Sequence, residues 1–225
     1  MYQPPHHVED RIEVMHALIR AHPLGLLVSA GPAGPVANAL PFLLDADVAP
    51  KGRLRAHLAR ANGHWRELAA NPDTPVLAVF QGIDTYITPS WYATKRETGK
   101  VVPTWNYAMV QVRGKARVMD DRDWIAAQID ELTRTHESGL KPREWEVSDP
   151  PAPFIEAQMR AIVGLEIEIA EISGKWKVSQ NRPAADREGV VAGLRASHGK
   201  PNAAPMADLV ERYGEERARR ERGET

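Results

Sequence analysis

The sequence predicts a mainly β or α+β protein in which helices surround an antiparallel barrel. Short β-prone runs joined by turn-length links occupy the middle of the chain, and helical patterns stand between and after them. Over residues 109–118, apolar residues alternate with Gln111, Arg113 and Lys115, as in a half-buried antiparallel strand. This order favours an antiparallel barrel over a doubly wound parallel sheet.

The elements follow from apolar spacing and from the proline and glycine residues that interrupt it. We expect helices over residues 7–21, 62–70, 120–137, 154–163, 183–194 and 205–222. We expect strands over residues 24–30, 36–44, 53–58, 76–80, 85–88, 109–118 and 165–172. Gly82 should divide the strand pair at 76–88, and a long loop should follow it. Asp120 or Asp121 is the expected N-cap of its helix.

The composition is typical of a globular chain with one main core. The chain has 225 residues, of which 43% are hydrophobic and 26% charged, which excludes gross disorder. With 29 Lys and Arg against 30 Asp and Glu, the formal charge is -1, so DNA binding would need a local basic patch. The absence of cysteine excludes thiol chemistry and favours a cytoplasmic location, and we expect neither a signal peptide nor a membrane span.

The segment 54–66, L-R-A-H-L-A-R-A-N-G-H-W-R, predicts a strand that ends in a basic loop before a helix. Asn62 can cap this helix. Free backbone N–H groups at the helix start, with Arg60 beside them, suit a phosphate dianion. A capped helix with solvated arginines is the alternative.

Aromatic residues are concentrated between positions 86 and 107, mostly in the expected loop. They are Tyr86, Trp91, Tyr92, Trp105 and Tyr107. Such a group indicates a flat ligand or a second subunit, and a small satellite core is the alternative.

The segment 174–182, G-K-W-K-V-S-Q-N-R, is dense in amide and cationic donors. It could hold a phosphate, a ribityl chain or the edge of a heterocycle. A polar loop before a helix that starts at Pro183 is the alternative.

Other signals are negative. His57 and His64 are seven residues apart, which is not the spacing of two metal ligands on a helix, so we expect no metal site. No nucleotide-binding fingerprint or nucleophile elbow is present, and the catalytic residues, if any, are not identified. The last fifteen residues hold five Arg and five Glu, which makes DNA reading by the C-terminal helices improbable.

Several motifs together resemble the PaiB family of FMN-binding negative transcriptional regulators. They are M-Y-Q-P-P-H-H at the start, H-L-A-R-A-N from His57, I-T-P-S-W-Y, V-V-P-T-W-N-Y-A, and K-W-K-V-S-Q-N-R-P. The resemblance implies a split β-barrel related to pyridoxamine phosphate oxidases and flavin reductases, and a homodimer with FMN at the subunit interface. It extends to about Leu194, so residues 1–194 would form the FMN-binding split-barrel domain and 195–225 a helical charged C-terminal extension.

The resemblance also implies a set of cofactor-binding residues. The FMN phosphate would lie at His57, Arg60, Ala61 and Asn62. Gln111 would approach the isoalloxazine ring, with Trp91 and Trp105 as its wall. The C-terminal strand would reach the flavin of the other subunit through Trp176, Ser179, Gln180 and Asn181. Many family members carry Thr-His where this chain has Asn38 and Ala39, so a histidine contact there is not expected.

Two functions remain in competition, with a third ranked below them. The first is a dimeric FMN-binding regulator, for which DNA is a family-level expectation. The second is an FMN-dependent oxidoreductase acting on a small molecule. The third is a flavin-type shell that binds haem or another flat ligand.

Overall fold

Eight β-strands in one antiparallel sheet form the framework of this computed structural model, which describes residues 1–31, 34–48, 50–140, 143–197 and 199–223. The strands are β1 (Val8–Glu9), β2 (Leu24–Gly31), β3 (Gly34–Pro41), β4 (Leu43–Asp45), β5 (Arg53–Ala59), β6 (Pro75–Ile87), β7 (Thr104–Met119) and β8 (Ile162–Lys177). Their order is β3-β2-β6-β7-β8-β5-β4, and β1 pairs with β8. Within the described residues this path is open, with β3 and β4 at its two ends.

Seven α-helices accompany the sheet. They are α1 (Ile12–Ala21), α2 (His64–Ala70), α3 (Thr94–Thr98), α4 (Arg122–Glu137), α5 (Ala152–Arg160), α6 (Ala184–Arg195) and α7 (Ala203–Glu221). Single 3-10 turns occur at Pro5–His7 and Pro89–Trp91. The predicted fold class, an antiparallel split barrel with peripheral helices, is confirmed. In the described part of the chain, no helix is both long and apolar enough to cross a membrane.

The chain forms two compact units. Unit 1 comprises residues 1–15, 81–110 and 173–225, and unit 2 comprises residues 16–80 and 111–172. The predicted boundary at 194/195 falls inside unit 1, where α6 and α7 pack together. The division into a domain of residues 1–194 and an extension of residues 195–225 stays a prediction.

Each unit has its own buried core. In unit 2, the rings of Phe42 and Phe80 meet edge to face at 5.4 Å, and Leu27, Leu54 and Leu165 are fully buried. In unit 1, the buried side chains come from α6, α7 and the segment before them: Val178, Val190, Leu194, Met206 and Val210. Apolar burial of this kind supplies most of the folding free energy.

Three strands are longer than the sequence predicts. β6 is continuous through Gly82, so the predicted pair at 76–80 and 85–88 is one strand; its buried positions change phase between residues 82 and 85 without ending it. β7 begins at Thr104 rather than 109, and β8 continues through Gly174 to Lys177. A glycine within a strand can mark a bend or a close approach instead of a break. The expected cap of α4 is confirmed, since the Asp121 carboxylate accepts the Trp124 N–H over 2.7 Å.

We predict that Gly114→Ala destabilises the protein by about 1–3 kcal/mol, because overpacking forces the backbone to move. A Cβ at Gly114 on β7 would overlap the Glu168 carbonyl oxygen and lie 2.8 Å from the Ile167 side chain. The measurement is the free energy of unfolding in urea.

Gly63→Ala is the matched control. A Cβ there meets nothing within 4 Å and the backbone has φ -64°, so stability should be unchanged or slightly higher. Equal losses for the two variants would contradict the close approach of β7 to β8.

Candidate functional site

The residues predicted to hold a cofactor are divided between the two units. Unit 2 holds the set near the end of β5 and one residue of β7: His57, Arg60, Ala61, Asn62 and Gln111. Unit 1 holds two aromatic residues and the set near the end of β8: Trp91, Trp105, Trp176, Ser179, Gln180 and Asn181. The contacts that hold each set come from within its own unit.

A tight turn connects β5 to α2. The Asn62 N–H donates to the Ala59 carbonyl over 2.8 Å, and the Asn62 Oδ1 accepts the His64 N–H over 3.0 Å. The predicted N-cap at Asn62 is wrong by one position, because Gly63 is the N-cap residue and the Asn62 side chain closes the turn before it; the helix begins two residues later than expected. Ala61 is exposed at the turn, and Asn62 is half-buried.

Arg60 is engaged by an acidic residue and by backbone carbonyls. Its two terminal nitrogens donate to the Asp120 carboxylate over 3.0 and 2.5 Å, and its Nε donates to the Arg160 carbonyl over 2.9 Å. The hydrogen bond from Arg60 lowers the pKa of Asp120. The two side chains are 35% and 54% exposed, and exposed ion pairs contribute only about 0–1 kcal/mol. An incoming anion can compete with Asp120 for Arg60.

His64 belongs to a hydrogen-bonded chain of four polar side chains. The Asn62 Nδ2 donates to the Asn38 Oδ1 over 2.9 Å, the Asn38 Nδ2 lies 2.9 Å from the His64 Nδ1, and the His64 Nε2 lies 2.7 Å from the Ser29 Oγ. The backbone N–H of His64 can only donate, so the Asn62 Oδ1 must accept it. Each next step then has one assignment: Asn38 donates to an unprotonated Nδ1, and the Nε2–H donates to Ser29. The network holds His64 in its neutral Nε2–H form.

Burial acts on His64 in the same direction. Its side chain is 3% exposed, and this desolvation lowers the pKa of the ring, opposed by the charge of Glu67. The Ser29 hydroxyl accepts from His64, so its own proton remains available to another acceptor. Sequence analysis missed this network, because Ser29, Asn38 and His64 carry no motif and lie on two strands and a helix that are separated in sequence.

The His57 side chain is held by a residue of α4. Its Nδ1 lies 2.8 Å from the Oε1 of Gln128, a fully buried residue of α4. The Gln128 Nε2 has no partner among the described residues. Gln111, at the start of the unit 2 part of β7, is half-exposed.

The aromatic residues of unit 1 do not form one loop, which corrects the sequence-based interpretation. Tyr86 lies on β6, and Trp105 and Tyr107 lie on β7. The rings of Tyr86 and Trp105 meet edge to face at 6.0 Å and are 45% and 53% exposed. This exposed pair can receive a flat ring or another protein surface.

Trp91 has a different environment, because α6 packs directly over it. A Cβ at Gly193 would overlap the Trp91 indole, and one at Gly189 would overlap its carbonyl oxygen. The Asp186 carboxylate accepts the Thr94 N–H over 2.9 Å and its hydroxyl over 3.0 Å, which ties the adjacent turn to α6. Trp91 thus lies in the small satellite core that was the alternative interpretation.

The segment after Lys177 is tightly held. The Gln180 side chain accepts the Val178 N–H over 2.8 Å and donates to the Trp176 carbonyl over 2.5 Å. The backbone carbonyl of Gln180 accepts from Arg217 over 2.6 Å. Ser179, with φ 63°, accepts from the Asn106 amide over 2.9 Å. Trp176, Ser179 and Gln180 are buried, and Asn181 is exposed.

Sequence analysis counted Lys175 and Lys177 only among the donors of the segment 174–182 and did not recognise them as a pair on either side of Trp176. Lys175 is 9% exposed and its Nζ lies 5.4 and 5.5 Å from the ring centroids of Tyr2 and Tyr107. The Lys177 Nζ donates to the Thr104 hydroxyl and to the Trp105 carbonyl. The alternation K-W-K was the available signal, since it places both lysines on one face of a strand. Within the described ranges, no cluster of three or more His, Asp or Glu side chains could hold a metal ion.

Comparison with known proteins gives matches in both sequence and structure. The model of the family described as "Putative FMN-binding domain" matches residues 1–171. An uncharacterized protein of Emericella nidulans is 34% identical over 247 residues, covering 96% of this chain and 98% of that protein. Protease synthase and sporulation protein PAI 2 of Bacillus subtilis is 30% identical over 212 residues, covering 94% of this chain and 97% of that protein. The solved structure of the flavocytochrome Anf3 from Azotobacter vinelandii matches with a TM-score of 0.57 and 18% identity, over 75% of this chain and 68% of that one, and shares its fold.

We predict that the His64 ring is in the neutral Nε2–H tautomer and stays neutral below pH 6.5, because the network and burial both disfavour a second proton. Nitrogen NMR shifts of the ring measure tautomer and charge directly. Asn38→Leu should mix the tautomers and lower stability by about 1–3 kcal/mol, since it leaves the His64 Nδ1 and the Asn62 amide unpaired.

Ala39→Leu, at an exposed position of the same strand, is the control and should leave the ring unchanged. A protonated Nδ1 in the unaltered protein would reject the assigned network.

Proposed function

Because the chain belongs to the FMN-binding domain family, we propose that it binds FMN as a homodimer and acts as a negative transcriptional regulator of the PaiB type. Membership confirms the family resemblance that the motifs indicated. The observation that carries the proposal is the family match over residues 1–171, together with the Bacillus relative that covers 94% of the chain. FMN, when bound, supplies reversible one- or two-electron chemistry. A cytoplasmic setting is proposed from composition.

The phosphate of FMN is proposed to bind at the turn between β5 and α2, with His57, Arg60, Ala61 and Asn62. Support comes from the exposure of Ala61 and from the partial exposure of the Arg60–Asp120 pair. The guanidinium has the donor geometry that a phosphate requires. Binding there means that Arg60 exchanges a carboxylate partner for a phosphate.

The flat ring of FMN is proposed to lie against Trp105, with Gln111 as a donor to the ring. The exposed Trp105 and Tyr86 faces fit such a ring, since an aromatic wall is typical of cofactor sites. Asn181 of the partner subunit is proposed to complete the pocket. Trp176, Ser179 and Gln180 would hold this asparagine in place, and Trp91 would shape the adjacent turn from the satellite core.

An FMN-dependent oxidoreductase acting on a small molecule is the second candidate. It is favoured by the net charge of -1, which offers little general attraction to DNA, and by the lysines next to exposed aromatic rings. The regulator and the enzyme share the cofactor and the dimer, and they differ in the second ligand.

We predict that the purified protein has a flavin absorbance spectrum and the mass of a dimer in solution. Promoter DNA retarded with a steep salt dependence would support the regulator. Bleaching by NAD(P)H that reverses in air would support the oxidoreductase. A colourless monomer that does not take up added FMN would reject both.

We predict opposite effects of two substitutions on FMN affinity if Arg60 binds the phosphate. Arg60→Ala should weaken FMN binding by about 10–100-fold, the value of a charge-assisted hydrogen bond. Asp120→Asn should strengthen it, because Asp120 no longer competes for the guanidinium. Fluorescence titration with FMN measures both.

Asp123→Asn and riboflavin are the controls for this prediction. Asp123 is paired with Arg122 and has a 91% exposed side chain, so its substitution removes the same charge nearby without touching Arg60. Riboflavin lacks the phosphate, and its affinity should not change in any variant. Weaker FMN binding by Asp120→Asn would remove Arg60 from the phosphate site.

A further inference from the structure

We propose that Lys175 and Lys177 of unit 1 form a binding site for the carboxylate or phosphate group of a flat small molecule whose ring lies on the neighbouring aromatic side chains. The proposal stands on the two ammonium groups and on Trp105, Tyr107 and Tyr86, and it does not require FMN to be bound.

The first observation is a mostly buried lysine residue without a carboxylate partner among the described residues. Lys175 is 9% exposed, and no acidic side chain within the described ranges forms an ion pair with it. Its Nζ faces the rings of Tyr2 and Tyr107. Cation–π contacts compensate only part of the cost of burying an unpaired charge. An anion at this ammonium would remove the deficit.

Lys177 adds a second cation to the same face of β8. Its Nζ has two neutral partners, the Thr104 hydroxyl and the Trp105 carbonyl, which leaves a third donor and the whole positive charge uncompensated. Burial lowers the pKa of Lys177, and the charges of Lys175 and Arg182 lower it further. The two lysines and Arg182 therefore share one region of positive potential.

The charges of the two lysines also act on His7. Its side chain is 5% exposed, and its Nδ1 has no hydrogen-bond partner in the part of the chain that the structure describes. Burial lowers the pKa of His7 to about 4, and the charges of His6, Lys177 and Lys175 contribute, opposed by Gln180. The ring is thus neutral at pH 7, and an unpartnered nitrogen remains beside two unpaired ammonium groups.

Two buried carboxylates, by contrast, are paired with arginines. Glu9, 3% exposed, is bound by Arg11 over 2.6 Å and accepts from Tyr213. Glu166, 4% exposed, is bound by Arg53 and Arg117 over 3.1 and 2.7 Å. The lysine face lacks this compensation, and uncompensated buried charge is typical of ligand sites.

The neighbouring side chains indicate the shape of the ligand. Trp105 and Tyr107 are two residues apart on β7, so their side chains lie on the same face of that strand. The ring of Tyr86 meets that of Trp105 edge to face. Exposed aromatic faces bind planar rings, and lysines bind the charged group at the edge of such a ring. The chemical class is therefore an aromatic carboxylate or a phosphorylated heteroaromatic compound.

Calorimetric titration of the full chain with benzoate, and separately with inorganic phosphate, tests the site at low ionic strength. We expect saturable binding, weakened at least tenfold by Lys175→Met and by Lys177→Met, which keep the apolar stem. Lys95→Met, an exposed lysine of α3 in the same unit, is the control and should bind as the unaltered protein does.

A second readout separates loss of the site from loss of the fold. Lys175→Met removes an unpaired buried charge, so the unfolding temperature should stay the same or rise. Undetectable binding of both anions, or unchanged affinity in both Met variants, would overturn the proposal.

FMN and riboflavin distinguish the two sources of the oxyanion. If the phosphate of FMN occupies the lysines, the Met variants lose FMN affinity and keep riboflavin affinity, and benzoate competes with FMN. If a separate molecule occupies them, the Met variants lose benzoate affinity and keep FMN affinity. Failure to bind FMN at all would reject the proposed function and leave the benzoate result standing.

Discussion

The hydrogen-bonded pairing of β8 is the constraint on which both candidate regions depend. β8 pairs with β5 from Ala59↔Ile162 to Arg53↔Glu168, and this ladder sets where β5 ends and the turn at Arg60 begins. At its other end β8 pairs with β1, Val8 against Lys175 and Glu9 against Gly174. Because side chains alternate along a strand, a slip of one residue would exchange Lys175 and Lys177 for Trp176. The register of one strand thus decides which groups are buried and which face a ligand.

Charged groups that already have a partner in the protein differ from charged groups that are candidates for binding a ligand. Asp45 accepts from Arg53 and Arg55 over 2.9 and 2.8 Å, and these two guanidinium groups lower its pKa against the effect of burial. Such networks leave no donor for a ligand. The His64 network forms without a charged group, and its Ser29 hydroxyl keeps a proton to donate. The lysine face is neither paired nor neutral, so it is the region where a ligand changes the electrostatic free energy most.

Local sequence patterns predicted the parts of the fold that local physics decides. The alternation at 109–118 identified the centre of β7, and Asp121 was recognised as a cap because its hydrogen bond reaches only three residues along the chain. Gly174 was interpreted as the end of a strand, whereas a Cβ there would lie 2.9 Å from the Glu9 carbonyl oxygen; the glycine admits the β1 strand. The partner of Arg60 is sixty residues away, and no local pattern indicates it. No local pattern indicates the role of Asn38 either, since its amide orients His64 from another element.

The two proposed oxyanion sites differ in what a ligand must displace. At Arg60 an anion exchanges with Asp120, so the gain is the difference between two similar charge-assisted contacts, and solvent screens both. At Lys175 and Lys177 no carboxylate within the described ranges precedes the ligand, and burial strengthens each contact by lowering the local dielectric. For the same phosphate, the lysine face should therefore return more binding free energy than the arginine turn. The residues of the turn and the family resemblance both assign the FMN phosphate to the turn, whereas the balance of paired and unpaired charge makes the lysine face a competing site for an oxyanion.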